Sequence, residues 1–514
     1  MPSQSKFLGI KRPPDLITLL LYAILLFVGI TYHEMWMDES HHWLVARESE
    51  SIQELIHNYR YDGHPVLWVL LMHIYSYFSE TAIGVQYLHG FITLVSAALI
   101  LLRAPFSGAF LIAWVLSYFS LYEYGVLSRN YSLLMLFSFC LPIAWKSRHR
   151  YPWLPWFILG LICNTHLFGL IFSTAFVLVI FLNDFTSQRQ SDIQSLLGYG
   201  IYAALFGLSV YFIIPPSDHP SASLASINFD IESLGDTLML FLKALAPVPD
   251  VTSQFFWNTN LITSSLKIWV APIAIISWLL PLLFRWRQAW LVWVWYLSAA
   301  LIALFFLVTT LNSGVRYGGI LIVILIALRW IDTLEVNTDQ KEQQVSNRRD
   351  LLRKSILTLL MTIQVISAGY HLYQDIQLPF SSTKDISLYI ESEKLDNIQV
   401  VSNAFCNCIS YNNYTDRPIY FLNVKSSMSF CKWELLDRAQ GQSQQYDLSQ
   451  SIKESIKYLK KQNLEQVILF YHGDEIFSEE FSSLSILTPL RVQHLQTFNK
   501  GIVKRENYAV FLID

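Results

Sequence analysis

The stretch "LITLLLYAILLFVGITYHEMWMDESHHW", residues 16–43, joins an apolar run to a dense group of ionisable side chains. The run from Leu16 to Thr31 approaches the ~20 residues that a membrane-spanning helix needs, and Lys11 and Arg12 precede it. No small-residue cleavage site follows, so the run is interpreted as a retained first span and not as a signal peptide. An aspartate, a glutamate and two histidines then lie at the lipid edge. Charged groups are costly there, so the stretch indicates a functional site.

The composition of the whole chain agrees with a polytopic membrane protein. Hydrophobic residues make up 53% of the 514 residues and charged residues only 15%, whereas soluble domains usually contain ~25% charged residues. The net charge is −3 and no strongly basic block occurs, so nucleic acid is not an expected partner. The length leaves room for one soluble domain beside the membrane part.

Apolar stretches predict about eleven spans. The shorter run 65–78 carries His73 and fits an interfacial or re-entrant helix better than a span. Lysine and arginine collect in the inner loops if the N-terminus is cytoplasmic and residues 34–81 form one long outer loop. The predicted spans are 16–33, 82–102, 107–125, 131–145, 153–167, 169–183, 194–214, 263–284, 289–309, 316–332 and 355–372.

The last third of the chain returns to a soluble composition, which divides the protein into a membrane domain, 1–372, and a soluble domain, 373–514. The segments "NIQVVSNAF", "EQVILFYHG" and "NYAVFLID" predict strands, and "QSIKESIKYLKKQN" predicts an amphipathic helix. We therefore expect a small extracytoplasmic α/β domain. Three cysteines cluster in this domain, namely Cys406, Cys408 and Cys431. On an oxidising face one pair of them can form a disulfide, and the sequence leaves open which pair it is.

The ionisable residues of the opening stretch allow several chemistries. If the stretch is helical, Asp38, His41 and His42 are at i, i+3 and i+4 and share a face. The carboxylate of Asp38 is then a candidate general base towards an acceptor hydroxyl. With a histidine beside it, the same carboxylate is a candidate ligand of a divalent metal. A polar helix start with solvated charges, with no catalytic role, is an equally strong alternative.

Further candidates lie at the predicted outer ends of the spans. The Gly-His-Pro of "YDGHPVLW", residues 61–68, predicts a turn. The imidazole of His64 would then project from a fixed turn towards the face that carries Asp38. An outer arginine offers a planar fork of donors for phosphate, although snorkelling to the interface is the ordinary role of such a residue. A histidine there is more often a hydrogen-bonded core residue than a ligand. The candidate substrate-binding residues are His64, Glu123, Arg129, Tyr131, His166, Arg316 and Tyr317.

The order of these signals along residues 16–332 resembles the GT-C superfamily of membrane glycosyltransferases. The nearest likeness is to the bacterial branch related to protein O-mannosyltransferases and lipid A aminoarabinose transferases. The Asp-Glu after the first span and the Gly-His-Pro carry most of the resemblance, whereas residues 373–514 share only their position. The resemblance implies a catalytic acid at Asp38, with Glu39 beside it. Leu127 stands where members often place a second acid, which leaves Glu123 as a shifted substitute.

The same resemblance implies a donor made of a sugar on a polyprenyl phosphate, handled on the outer face of a bacterial plasma membrane. The expected reaction is inverting transfer of a hexosyl or pentosyl group to a hydroxyl of a lipid, a glycan or a protein. Phosphate leaves readily as an anion, so Arg129 and Arg316 would stabilise the growing negative charge. Members differ in their use of metal, so a divalent ion held by Asp38, His41 and His42 remains an open alternative.

Other classes of protein fit parts of the pattern. A transporter or flippase for lipid-linked sugars would use intramembrane acids and outer arginines as translocation groups, but paired internal repeats are absent from the sequence. A polysaccharide polymerase is chemically close but does not require an Asp-Glu directly after the first span. A sensor or scaffold built on the C-terminal domain leaves the order of polar residues unexplained.

Overall fold

The computed structural model describes residues 13–186, 193–217, 231–266, 269–309, 313–335, 348–435, 446–478 and 492–514. The membrane part of the described chain is helical. Its helices are α1 (Pro13–Tyr32), α2 (Met37–Glu48), α3 (Ile52–Tyr59), α4 (Leu67–Ser76), α5 (Ala82–Arg103), α6 (Gly108–Val115), α7 (Tyr131–Lys146), α8 (Leu154–Cys163), α9 (Leu167–Thr186), α10 (Ile193–Ile213), α11 (Ile231–Leu245), α12 (Leu261–Leu266), α13 (Val270–Ser277), α14 (Ala289–Val308), α15 (Val315–Leu334) and α16 (Arg348–Gln377).

Six of the described helices are long and apolar enough to cross a membrane, and they make the chain an integral membrane protein. They are α1, α5, α10, α14, α15 and α16. The other predicted spans correspond to shorter or broken helices. The run 107–125, for example, contains α6 and then a π-helical segment, Tyr118–Glu123. Such π-helical segments often occur at functional sites, and this one ends directly before the loop that carries Arg129.

The long loop after the first span folds into three short helices, α2, α3 and α4. Helix α4 has ten residues and lies within the run 65–78. Its rise of about 15 Å is half of the ~30 Å hydrocarbon core, so it cannot span a bilayer. The structure therefore agrees with the prediction that this run is not a full span.

The C-terminal part is built on one mixed sheet. Its strands are β1 (Gln399–Ser402), β2 (Ile419–Phe421), β3 (Ser426–Met428), β4 (Val467–Tyr471), β5 (Val492–Phe498) and β6 (Tyr508–Ile513), in the order β3-β2-β1-β4-β6-β5. Strand β1 pairs in parallel with β2 and β4, and the remaining pairs are antiparallel. Two helices, α17 (Thr383–Ser392) and α18 (Leu448–Gln462), accompany the sheet.

This sheet confirms the α/β prediction. The three predicted strands are β1, β4 and β6, and the predicted amphipathic helix is α18. The sequence analysis missed β2 and β3, which have three residues each, and β5, whose residues show no clean alternation of burial. Short strands at a sheet edge carry too few residues for a period of two to be visible.

Helix α2 lies between the membrane helices and the sheet. Its buried residues Trp43 and Leu44 belong to the same apolar cluster as Trp68 of α4, Ile409 and Phe421. Burial of apolar surface from both sides therefore fixes the helix that carries Asp38. Because one core includes residues of both parts, the C-terminal domain is packed on the loop that follows the first span.

The disulfide that the sequence left open joins Cys406 and Cys431, and Cys408 is a buried free thiol. We expect residues 373–514 to face the outside, because lysine and arginine collect in the opposite loops. Cys406 and Cys431 are both 2% exposed, so labelling by an impermeant maleimide in intact cells should require reduction of the disulfide and opening of the segments around it. Labelling that needs cell lysis, while an outer control thiol reacts, would contradict this orientation.

Candidate active site

The first turn of α2 holds the aspartate at the edge of the membrane part. The backbone N–H of Trp36 donates to Glu39 Oε2 over 3.3 Å, which satisfies an amide at the helix start. Asp38 follows in the first turn, where the positive end of the helix dipole favours a carboxylate. Its side chain is 24% exposed, so it is accessible to a ligand.

Two arginines from distant parts of the sequence face Asp38. Arg129 Nη1 donates a hydrogen bond to Asp38 Oδ2, and Arg316 Nη1 lies 3.7 Å from the same oxygen. Arg129 follows the π-helical segment, and Arg316 is the second residue of the spanning helix α15. The structure thus brings together three residues that the sequence analysis named separately.

The charges in this cluster are unequal. Burial raises the pKa of Asp38, but Arg129 and Arg316 outweigh it and lower the pKa below its ordinary value. Asp38 is therefore an anion at neutral pH, and one carboxylate faces two guanidinium groups. The Nε atoms of both arginines are buried without a hydrogen-bond partner. The cluster keeps one positive charge and unused donors for an anion.

Aromatic rings enclose the arginines. The guanidinium carbon of Arg316 lies 5.6 Å from the ring centres of Trp36 and Trp257 and 4.9 Å from that of Tyr317. Arg129 lies 5.8 Å from the ring centres of Trp36 and Tyr131. Cation–π contacts of this kind hold a guanidinium in place without neutralising its charge. The arginines therefore remain available for a ligand.

Glu39 is buried and points away from Asp38. Its Oε1 accepts the backbone N–H of Ser128, directly before Arg129, and its Oε2 lies 2.9 Å from His33 Nε2. His33 Nδ1 in turn lies 2.8 Å from Asp375 Oδ2 on α16. Glu39 therefore fixes the backbone beside Arg129, whereas a catalytic role for its carboxylate stays a prediction.

Two side-chain contacts fix the loop that carries Arg129. His89 Nε2 lies 3.1 Å from the backbone carbonyl oxygen of Arg129. Asn130 Nδ2 donates to the carbonyl oxygen of Thr165 over 2.8 Å, which places the turn with His166 beside this loop. The predicted outer loops are therefore joined by hydrogen bonds to the backbone.

A row of imidazoles borders the cluster on one side. The ring centres of His42 and His64 are 5.6 Å apart, those of His64 and His166 5.7 Å, and those of His166 and Tyr131 5.0 Å. Burial lowers the pKa of His64 to about 4, and nearby Arg129 acts in the same direction. The pKa of His42 is lowered for the same reasons. These rings are neutral at physiological pH.

His41 has a different environment. Its Nε2 lies 2.7 Å from Asp62 Oδ1, and its Nδ1 accepts the backbone N–H of Cys431 over 3.2 Å. Trp433 Nε1 also donates towards His41 Nε2 over 3.3 Å. His41 thus connects α2 to the C-terminal domain at the disulfide.

The proposed metal ligands do not converge. Asp38 pairs with arginines, His41 with Asp62, and His42 packs against His64. Within the described ranges, no group of three or more His, Cys, Asp or Glu side chains is arranged to hold a metal ion. His41 Nε2 and His42 Nε2 lie 2.7 and 3.7 Å from the carboxylate of Asp62, whereas Asp38 is paired with the arginines. Two guanidinium groups beside Asp38 also disfavour a divalent cation there.

Glu123 lies in the same region but is engaged by neighbouring aromatic residues. Tyr118 Oη donates to its Oε2 over 2.7 Å, and Trp257 Nε1 donates to the same oxygen over 3.1 Å. The carboxylate thereby positions one of the rings around Arg316. Tyr317, the neighbour of Arg316, accepts a hydrogen bond of 2.9 Å from Arg316 Nη2 through its hydroxyl.

Several residues of the site have no distinct signal in the sequence. Trp257 comes from the loop before α12, and Asp62 precedes the Gly-His-Pro turn that the sequence analysis noted only for its histidine. The backbone of Gly63 has a positive φ of 64°, so this turn favours glycine. In the sequence, the Asp-Gly pair at residues 62–63 is the only local pattern that could have drawn attention to Asp62.

The His33 bridge gives a prediction for stability. The change His33→Leu leaves Glu39 and Asp375 buried without a cation, so the free energy of unfolding should fall by about 3–5 kcal/mol. Burial lowers the pKa of His33, but Asp375 and Glu39 raise it well above 6.5. The stabilisation should be complete below pH 6.5 and disappear as the pH rises through the folded-state pKa.

Denaturant unfolding of the detergent-solubilised protein across pH measures this effect. His57→Leu is the matched control, because His57 lies on α3 and is exposed. An equal stability of the His33→Leu and His57→Leu proteins at pH 6 would show that the bridge does not stabilise the fold.

Comparisons with known proteins support the fold. No family model matches the sequence, and no curated protein matches it. Two solved structures are similar, both of ArnT from Cupriavidus metallidurans. The apo structure matches with a TM-score of 0.50, and the structure bound to undecaprenyl phosphate matches with a TM-score of 0.47, both at 12% sequence identity. Each match covers 96% of this chain and 97% of the ArnT chain. The likeness to the apo structure extends over nearly the whole chain, which therefore has an ArnT-like fold.

Proposed function

We propose that the protein is a membrane glycosyltransferase that moves a sugar from a polyprenyl-phosphate donor to an acceptor hydroxyl. The observation that supports this most strongly is the cluster of Asp38, Arg129 and Arg316. It combines an accessible carboxylate with two guanidinium groups, at the outer ends of helices that cross the membrane. A general base and an anion-binding pair are the two elements that this reaction requires.

The depth of the cluster supports a lipid-linked donor. Asp38 follows α1 by six residues, and Arg316 lies in the first turn of α15. A polyprenyl phosphate has its apolar chain in the bilayer and its phosphate at the surface, so its anion would lie beside these residues. The net positive charge of the cluster offsets that anion, and guanidinium groups bind phosphate in a bidentate way.

The proposed step is a single displacement. The acceptor oxygen attacks the anomeric carbon from the side opposite the phosphate, and the bond between that carbon and the phosphate oxygen breaks. The bonding electrons leave with the polyprenyl phosphate, and the hydroxyl proton passes to Asp38. Attack from the opposite side inverts the configuration at the anomeric carbon.

The environment of Asp38 suits this order of events. Its lowered pKa makes it a weak base, so it takes the proton late, when the attacking hydroxyl has become acidic. Arg129 and Arg316 would meanwhile stabilise the charge on the leaving phosphate. No proton donor to the leaving group is needed.

Side chains beside the cluster offer further groups for binding the donor. Neutral His64 and His166 and the hydroxyl groups of Tyr131 and Tyr317 are suited to hydrogen bonds with sugar hydroxyls or phosphate oxygens. The role of Glu123 in this proposal is indirect, because its contact with Trp257 sets the position of an aromatic ring. We propose Glu39 as a positioning residue for the backbone before Arg129.

The change Asp38→Asn tests the proposal. It preserves size but removes the proton acceptor, so kcat should fall by about 10³-fold, within the range found for general bases. Purified protein in nanodiscs would be given decaprenyl-phosphate-linked hexoses and pentoses, with a membrane extract from the source cells as acceptor. Release of decaprenyl phosphate measures the reaction.

Glu48→Gln is the control for this change. Glu48 lies at the other end of α2 and pairs with Arg47 at the surface, so its replacement should leave kcat nearly unchanged. Turnover by Asp38→Asn protein at the wild-type rate would remove Asp38 from the mechanism. Movement of intact donor across the bilayer without cleavage would support a flippase instead.

A further inference from the structure

Glu506 of the C-terminal domain contacts the helix that carries Asp38. It ends a short 3-10 turn, Lys504–Glu506, directly before β6, and it is 1% exposed. Its Oε1 accepts the backbone N–H of Met37 over 2.7 Å, across 469 residues of sequence. Met37 is the first residue of α2 and the neighbour of Asp38.

This contact satisfies a requirement of the helix. The first amides of an α-helix have no acceptor within the helix, and a buried N–H without an acceptor costs about 1–3 kcal/mol. Glu506 supplies the acceptor from outside the helix. Displacement of the Met37 amide would shift the adjoining backbone and, with it, the carboxylate of Asp38.

Glu506 is itself held firmly. Its Oε2 accepts the hydroxyl of Ser410 over 3.1 Å, and its backbone oxygen accepts the N–H of Ser382 at the start of α17 over 3.2 Å. Ser410 also accepts from the hydroxyl of Thr383 over 3.1 Å. These residues are all buried. One side chain therefore ties α2, α17 and the segment around Ser410 together.

Other contacts between α2 and the C-terminal domain reach later positions. Asn413 Nδ2 donates to Ser40 Oγ over 2.7 Å, the N–H of Cys431 donates to His41 Nδ1 over 3.2 Å, and Arg47 Nη2 donates to the backbone oxygen of Asn412 over 3.2 Å. These contacts involve side chains of α2, whereas Glu506 binds its backbone at the first turn. Glu506 is therefore the contact best placed to set the position of Asp38.

The charge of Glu506 is compatible with this role. Burial raises the pKa of Glu506 to about 8, hydrogen bonds from Ser381, Met37 and Ser410 oppose that rise, and the charge of Asp38 adds to it. A carboxyl group of this kind is largely neutral at physiological pH. It can accept the Met37 amide without placing a second full negative charge beside Asp38.

We propose that Glu506 is a positioning residue for Asp38, so that the C-terminal domain helps to hold the active-site carboxylate in place. The proposal deepens the proposed function and depends on it for the role of Asp38. It gives residues 373–514 a direct part in the reaction geometry, beyond covering the site.

Three variants of Glu506 and one control test the proposal. Glu506→Ala removes the acceptor, and Glu506→Asp withdraws it by one methylene group with less disturbance of the fold. Glu506→Gln keeps a carbonyl oxygen for Met37 and offers an amide to Ser410. The control, Asn413→Ala, removes a hydrogen bond to the same helix at a later position.

Hydrogen–deuterium exchange of the peptide spanning residues 36–40 measures the position of the helix start without any substrate. Exchange at Met37 should be about 10-fold faster in the alanine and aspartate variants, because loss of a hydrogen bond to a buried amide opens the first turn. It should be unchanged in the glutamine and Asn413→Ala proteins.

Turnover of the decaprenyl-phosphate donors is the second measurement. Misplacement of the base by about 1 Å can cost 10²-fold, so kcat should fall by about 10–100-fold in the alanine and aspartate variants, with KM for the donor nearly constant. Glu506→Gln should restore kcat. Recovery by glutamine would separate positioning through a hydrogen bond from a general loss of structure.

Two outcomes would overturn the proposal. One is slow exchange at Met37 and full kcat in Glu506→Asp, and the other is a loss in folded Glu506→Gln equal to that in Glu506→Ala. If Asp38→Asn retains full activity, the proposed catalytic assignment fails instead. The exchange experiment still decides whether Glu506 fixes the first turn of α2.

Discussion

The ion pair between Asp38 and Arg129, with Arg316 beside it, is the interaction on which the site depends. A carboxylate and two guanidinium groups at the edge of a lipid phase are costly unless they are paired. Three separate parts of the chain must therefore keep fixed positions relative to one another: the start of α2, the loop after the π-helical segment and the start of α15. The surrounding hydrogen bonds and rings meet that requirement.

The adjacent acids Asp38 and Glu39 divide their roles because of helix geometry. Successive residues of a helix point about 100° apart, so one side chain faces the accessible cluster and the other faces the interior. Glu39 then joins His33 and the backbone of Ser128. Glu506 acts from the opposite side on the first amide of the same helix. Two buried acids thus support one partly exposed carboxylate.

Much of the architecture was predictable from the sequence because it follows from local patterns. Apolar runs located the helices, and alternation located β1, β4 and β6. The positions of Arg129 and Arg316 at span ends indicated that they would meet Asp38. In contrast, the sequence did not predict the His33–Asp375 and Met37–Glu506 contacts. These join residues 342 and 469 positions apart, and no local pattern records such pairs. The sequence also left the metal alternative open, since spacing along a helix does not specify the neighbours that each side chain meets.

Binding of decaprenyl phosphate to the purified protein tests the central claim most directly. If the cluster is an anion site in which Asp38 competes with the ligand for the arginines, Arg129→Ala and Arg316→Ala should each weaken binding by about 10-fold or more, as expected for a hydrogen bond to a charged group. Asp38→Asn should strengthen binding, and uncharged decaprenol should bind poorly to all the proteins. Equal binding by the wild-type and both arginine variants, or weaker binding by Asp38→Asn, would contradict the account.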